Sequence, residues 1–376
     1  FADELPVYTL ESVVTTPQRF PAPQAQSPSN VTVITAQDIR DSGARTIPEL
    51  LAQQAGIHTR STDGTPNVAV DIRGFGVSGN QNSVVLLDGL RVNDIDLSAV
   101  RWSTIPLSAI ARIEIIRGSG SVLYGEGATG GVINIITKAP SKKTGGQIAL
   151  GAGSYRTVDL QASAGTGGDT QAIRVTADAY NSDGYRRNNK NMDRSLLGDW
   201  RLDIPQGYVN LKFGADHQNL RFPGARTVDP TTGKDELTND RRGTGTPDNY
   251  GLRDGGIVGL TYARTFPSAE FITDILYRKK QTEAVLGTFV TADLAVTEIA
   301  PRLKIPHSFF NGRGALVLGM QASHWNYDQL RASSAASTSS TSPANPAATA
   351  SPATPHARSG RSPFCGSRSS HPSSPA

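Results

Sequence analysis

The chain has 376 residues, 37% of them hydrophobic, which is enough for a folded core. Its 37 basic and 33 acidic residues give a net charge of +4, but Arg331, Arg358, Arg361 and Arg368 all follow the last acidic residue, Asp328. The body before them is neutral and offers no clustered basic face for nucleic acid. A single cysteine, Cys365, excludes an intramolecular disulfide and an all-cysteine metal site. No apolar run reaches the length of a spanning helix, so only strands could carry this chain across a membrane.

In chain order, Phe1-Ala2-Asp3 fits the end of a signal-peptide cleavage site. Glu11-Ser12-Val13-Val14-Thr15-Thr16 is a short β-prone run, which could be the first strand of a domain or a free segment that adds to a partner's sheet. Pro17, Pro21, Pro23 and Pro28 follow and disfavour regular pairing, so the run is expected to be tethered rather than packed. Val31 to Ile34 reads as a strand. Thr35 with Asp38, and Thr46 with Glu49, each form a capping box ahead of a short helix; Gly56 stands where the second helix needs a left-handed residue. Ser83 to Leu87, Asp88-Gly89 and Leu90 to Val92 form a hairpin around a preferred tight-turn dipeptide. Arg112 to Arg117 and Gly131 to Ile136 are two more β-branched strands separated by a glycine-dense loop. A small α+β domain ends near Ala139.

From Gly146 the pattern changes to period two. Ile148, Leu150 and Ala152, then Val158, Leu160, Ala162 and Ala164, alternate with polar or glycine positions. Ile173, Val175, Ala177 and Ala179 oppose Arg174, Thr176, Asp178 and Tyr180, and Val209, Leu211, Phe213 and Ala215 repeat the scheme. Further strands are expected near Ile257 to Arg264, Phe271 to Arg278, Val296 to Ile305 and Ala315 to Tyr327, with a long polar loop from Phe222 to Asp254. A soluble sandwich also alternates, but long loops beside short turns suit an outer-membrane barrel with an apolar outside and a polar lumen. Past Leu330 the Ser, Ala, Thr and Pro composition predicts disorder, and the abrupt change resembles a shifted reading frame.

Gly125-Glu126-Gly127-Ala128-Thr129-Gly130 matches a dinucleotide-loop string, but the β-branched run after it predicts a strand where that site needs a helix. No P-loop, G-x-S-x-G or H-E-x-x-H element occurs, and the six histidines have no helical metal spacing. Asp183, Asp193 and Asp229 lack the spaced carboxylates of a calcium loop. The sequence therefore calls for neither a cofactor nor a catalytic centre. Arg73, Glu114 and Arg117 are charges set in apolar strands, which either reach solvent or pair with carboxylates on an enclosing wall.

Taken together, these motifs resemble the plug of TonB-dependent outer-membrane receptors, the family of cobalamin, ferric-siderophore and haem transporters. The resemblance runs in order through Glu11 to Thr16, Val33-Ile34-Thr35, Leu50-Leu51, Gly56-Ile57, Ile72-Arg73-Gly74 and Val85-Leu86-Leu87-Asp88-Gly89. It continues through Arg112 to Gly118, Leu123-Tyr124-Gly125 and Gly130 to Thr137. It implies an N-terminal segment (1–28) with a TonB box, a plug domain (29–140), antiparallel transmembrane β-barrel strands of an incomplete barrel (141–330) and a disordered tail (331–376).

The resemblance further implies that TonB, driven by the inner-membrane energising complex, pairs with Glu11, Ser12, Val13, Val14, Thr15 and Thr16. Asp63, Gly64, Thr65, Pro66 and Asn67, with Asn93, Asp94, Ile95 and Asp96, would be ligand-facing apices, and Arg73 and Arg117 would pair with barrel glutamates, with Glu114 in the same set. The expected activity is import of a ferric siderophore through the Gram-negative outer membrane, in contact with its lipid. Cobalamin is the alternative, and a passive porin or adhesin is the rival from another class; a soluble glycine-loop enzyme is a further rival. About twenty-two strands close a barrel of this kind. The strand region here holds about nine, so the chain by itself is expected not to insert, since open edges in hydrocarbon leave backbone groups unpaired. With only ten residues ahead of the box, an extra N-terminal signalling domain is not expected.

Overall fold

The structure, a computed structural model, describes residues 13–16, 19–24, 30–61, 67–95, 98–118, 120–309 and 312–333. Two layers of chemistry separate at once: an α+β plug with its own core, and a long antiparallel sheet curved against it.

The plug begins with a minimal pair, β1 (Val13–Val14) and β2 (Ala22–Pro23). β3 (Val31–Thr35) leads into α1 (Ala36–Asp41), whose N-cap Thr35 and Asp38 complete the reciprocal capping box. α2 (Ile47–Ala52) is capped by the Thr46 side chain, but Glu49 turns its carboxylate to the amide of Arg45 instead of closing the expected box. Gly56 takes φ +72°, the left-handed conformation its position asked for. β4 (Ile57–Arg60) pairs with β5 (Ala69–Ile72), α3 (Gly79–Asn82) follows, and β6 (Ser83–Leu87) turns through Asp88-Gly89 into β7 (Leu90–Arg91). Both turn residues have positive φ, +50° and +86°, the backbone of a primed hairpin turn. β8 (Ile110–Arg117), α4 (Ser121–Tyr124) and β9 (Gly131–Thr137) complete the plug; a strand, not a helix, follows the glycine cluster.

The central sheet has the order β3-β8-β9-β6-β7, with β6 and β9 parallel. Every residue of β6 is buried because both faces are covered. Leu50, Leu51, Ile72, Ile113 and Ile133 pack on one side with the helices and the β4–β5 hairpin, and Val14, Val84, Tyr124 and Val132 pack on the other.

The second layer is a meander of nearest-neighbour antiparallel pairs. It comprises β10 (Gly145–Gly153), β11 (Thr157–Gly167), β12 (Gln171–Ser182), β13 (Asn191–Ile204) and β14 (Gly207–Arg221). A loop then carries β15 (Val228–Asp229), β16 (Lys234–Asp235) and α5 (Glu236–Asn239) before β17 (Tyr250–Phe266), β18 (Ala269–Val285) and β19 (Thr288–Phe309) resume the sheet. The loop is shorter than expected because Tyr250 to Asp254 already pair with β14. β20 (Gly312–Gly319) and β21 (Ala322–Ser333) both pair with β19 in one continuous register. They are a single strand interrupted opposite Pro301, which has no N–H to give the ladder. The sheet is thus nine strands wide in register, and it runs past Leu330 to Ser333.

Its outer face is apolar and exposed, with Ile148, Leu150, Val158, Leu160, Val258, Leu260, Ile275 and Ile299 all open. Its inner face buries polar side chains, among them Asp193, Asp199, Lys212, Gln218, Asp274, Lys280 and Glu298. This inversion of the usual soluble pattern is that of a membrane barrel wall. At one end the connections are the turns 168–170, 205–206 and 267–268; at the other lie the longer loops 183–190 and 222–249, flanked by the tight turns 154–156 and 286–287. Among the described residues no helix is long and apolar enough to cross a membrane, which says nothing of strands.

Candidate functional site

The N-terminal segment is docked, contrary to the expectation that prolines would leave it tethered but unpacked. Val13 pairs with Pro23, Val14 is 1% exposed, and Thr16 is fully buried. Proline is tolerated here because a two-residue edge pairing asks little of its missing donor. Thr16 spends every polar group inside the plug. Its amide and hydroxyl donate to Glu114 Oε2 at 2.8 and 2.6 Å, its carbonyl accepts from Tyr124 Oη at 2.7 Å, and its hydroxyl accepts from Asn134 Nδ2 at 3.0 Å. Thr15 donates a further amide to Glu114 at 2.9 Å. The other Glu114 oxygen is held by Arg112 at 2.8 Å, so a fully buried carboxylate is satisfied within the plug. Burial pushes the Tyr124 hydroxyl well above its ordinary range, keeping it a donor. Beyond Thr16, Phe20 is buried against Ala263 and Ile272 of the wall, and Arg302 donates to the Arg19 carbonyl at 2.9 Å.

The plug meets the inner wall through ion pairs that sequence reading missed. Lys212 on β14 lies 2.8 Å from Asp88 and 2.6 Å from Asp199, and donates to Thr137 at 3.0 Å. Asp88, read from the sequence only as a turn residue, therefore also joins plug to wall. Arg101 pairs with Asp216 at 2.6 Å. Asp94 is clasped by Arg278 and, at 2.6 Å, by Lys280, both on β18. Alternation in the strands could have flagged Lys212, Arg278 and Lys280 as lumen-facing; nothing local could have named their partners.

The expected ligand-facing residues divide. Asn93 closes the hairpin, accepting from Val85 N at 2.6 Å and donating to the Ser83 carbonyl at 3.0 Å, and Asp94 is consumed by the wall; neither is presented to solvent as expected. Ile95 is 46% exposed, and Asn67 donates to Gln218 at 2.8 Å. Glu11, Ser12, Asp63, Gly64, Thr65, Pro66 and Asp96 lie outside the described residues. Arg73, at φ +73°, is exposed and reaches only the Arg117 carbonyl at 3.4 Å, while Arg117 donates to the Ala55 carbonyl at 2.9 Å and to Thr32. Among the described residues Arg73, Glu114 and Arg117 thus contact plug groups, not wall carboxylates.

Between the first lobe of the plug and strands β11 to β13 lies a cavity of about 840 Å³. Thr59 and Val68, which flank the first expected apex, line it beside α2, and Asp159, Gln161, Asp178 and Tyr180 line it from the wall. No grouping of His, Cys, Asp or Glu suited to a metal ion occurs among the described residues.

Comparison with known proteins bears directly on this arrangement. Residues 23–132 match the TonB-dependent Receptor Plug Domain family. The Vitamin B12 transporter BtuB of Vibrio cholerae serotype O1 (strain O395) is 36% identical over 177 residues, covering 46% of this chain and 28% of that protein. BtuB of Vibrio vulnificus (strain CMCP6) is 38% identical over 150 residues, covering 39% and 24%. Among solved structures, the pyoverdine outer membrane receptor FpvA from Pseudomonas aeruginosa PAO1 superposes with a TM-score of 0.74 at 17% identity, covering 86% of this chain and 50% of that one. The unliganded ferric citrate transporter FecA gives 0.71 at 18%, covering 84% and 50%. The chain spans about a quarter of the length of these curated relatives and about half of these solved chains.

A plug seated by ion pairs on the polar face of a sheet with an apolar outer face is the architecture of a plugged outer-membrane barrel wall. Residues 23–132 carry the plug domain of TonB-dependent receptors, and the plug and sheet together are similar in architecture to solved receptors of that kind.

Proposed function

We propose that this chain supplies the plug and first wall strands of an importer that takes a chelated nutrient through the Gram-negative outer membrane. The observation that carries this reading is a docked N-terminal segment on a plug that is itself seated on the polar face of the sheet. In this mechanism ligand settles beside the outer end of the plug, Thr15 and Thr16 are released from Glu114, and TonB pairs with the segment from Glu11 to Thr16 and transmits work from the inner membrane. No bond in the ligand changes.

A ferric siderophore is the cargo we favour, on the architecture shared with siderophore receptors; cobalamin is the second reading, favoured by the higher identity of the plug to B12 transporters. The exposed plug residues Arg73, Phe75 and Val77 mark where the remaining wall of a closed barrel would stand, and there Arg73 and Arg117 would find carboxylates.

The test is Val13→Pro. Made in the full-length parent receptor with its wall closed, the proline removes a backbone donor that strand addition requires, so uptake should fall to background while binding at the cell surface persists. Unimpaired uptake rejects the box assignment, and uptake that survives loss of TonB supports a passive pore. Growth rescue of a receptor-deleted strain by the full-length parent, tested on a panel of ferric chelates and cobalamin, decides the cargo.

A further inference from the structure

The inner face of the wall buries polar side chains along most of its length, but near the short-turn end it gathers an apolar pocket. Tyr208 on β14, Ala263 on β17, Ile272 on β18 and Val317 on β20 meet there, and Ala263 is the register partner of both Tyr208 and Ile272. The side chain packed among them is Phe20 of the N-terminal segment, which is fully buried. Arg302 and Lys304 stand over its ring at 5.9 and 5.7 Å. Each of these cations is itself fixed by a wall carboxylate, Arg302 by Asp274 and Lys304 by Glu270 at 3.1 Å.

Arg19, one residue earlier, is an elbow between two holders. Its backbone takes φ +57°, a left-handed conformation that a residue with a side chain keeps only when its surroundings impose it. From the wall, Arg302 donates to its carbonyl at 2.9 Å. On the plug side, its guanidinium lies over the Tyr124 ring at 5.2 Å and donates to the Leu123 carbonyl at 3.2 Å. Before the elbow the plug holds Val14 and Thr16; after it the wall holds Phe20. The grip of Glu114 on Thr16 and the grip of the pocket on Phe20 share no side chain.

Distances along the chain let one grip open without the other. Ile272 lies four residues from Ser268 of the 267–268 turn, so the pocket is at most about 13 Å from that end of the wall at about 3.3 Å per residue. Outer-membrane barrels turn their short connections to the periplasm. Val13 is seven residues from Phe20 and can extend about 25 Å from it. A segment freed from Glu114 therefore clears the rim while Phe20 is still in place.

We propose that Phe20 is a wall-held anchor that stays seated when Thr15 and Thr16 leave Glu114, so that the released segment is presented at the rim on a tether of fixed length. Because Phe20 precedes β3 along the chain, tension applied to the segment enters β17 and β18 before it reaches the plug core. This deepens the import reading and rests on it for the partner that pulls; the independence of the two grips does not depend on transport.

The test uses two single-cysteine reporters in the detergent-solubilised full-length parent receptor, in a background without other reactive thiols, with a polar maleimide as the probe. Val14→Cys reads docking of the segment, and Ile272→Cys, beneath Phe20, reads occupancy of the pocket; both should start protected. Thr16→Pro removes two of the three donors that Glu114 Oε2 receives from the segment. It should raise the labelling rate of Val14→Cys about tenfold and leave that of Ile272→Cys within about twofold. Phe20→Ala should do the reverse, and Phe20→Leu should restore the protection of Ile272→Cys, a rescue that a general loosening of the fold would not show. Glu114→Ala repeats the release from the plug side. The proposal is overturned if release opens both reporters together, if Ile272→Cys is open before release or indifferent to Phe20→Ala, or if Val14→Cys stays closed in both release variants. Because neither TonB nor uptake enters the readout, failure here leaves the Val13→Pro experiment standing, and failure there leaves this one.

Discussion

In the plug and in the wall the same residue types obey opposite rules. Ile113, Ile115, Ile133 and Ile135 are fully buried in a sheet covered on both faces, whereas Ile148 and Leu150 in the wall stand 74% and 76% exposed while Lys212 is 2% exposed. The difference teaches that strand alternation fixes which side chains share a face, and the surroundings fix which face is hidden. The plug supplies its own cover with helices and hairpins. The wall uses the plug as cover for its charges and leaves its apolar side for lipid.

This contrast can be broken most forcefully at the seam. Asp94→Ala takes from the buried Arg278 the carboxylate that clasps it and should lower plug–wall stability by about 4 kcal/mol, read as a fall in the urea midpoint followed by tryptophan fluorescence. An unchanged midpoint would mean that the seam carries no load. Next in size is a matched pair of truncations: Ile133→Ala should cost about 3 kcal/mol as a core cavity, and Leu150→Ala under about 0.5 kcal/mol in detergent. Equal losses would erase the distinction between the two regions. The smallest effect sharpens the plug alone, since Thr46→Ala removes the α2 cap for about 1 kcal/mol by the same measurement.

What could be read from the sequence was what local chemistry determines. The Asp88-Gly89 turn, the Thr35 capping box, the left-handed Gly56 and the period-two wall strands each follow from a few neighbouring residues, and each is present. What could not be read depends on distant partners. Thr16 meets Glu114 across 98 positions and Arg278 meets Asp94 across 184, and no spacing rule reaches that far. The prolines after the box read as breakers from their chain neighbours alone, because nothing local reveals the buried Glu114 that holds the segment down. Pro301 is the converse: in the sequence it sat unremarked inside an expected strand, and only the register of β20 and β21 shows the gap it leaves.

One of those prolines has a further consequence. Pro23 is the residue opposite Val13, and it has no amide hydrogen to offer. The internal strand is therefore a poorly matched tenant on that edge, holding its place by the grip on Thr16 next door. A visiting strand with a full complement of amides would form the better ladder, so occupancy would pass to the newcomer once that grip loosens.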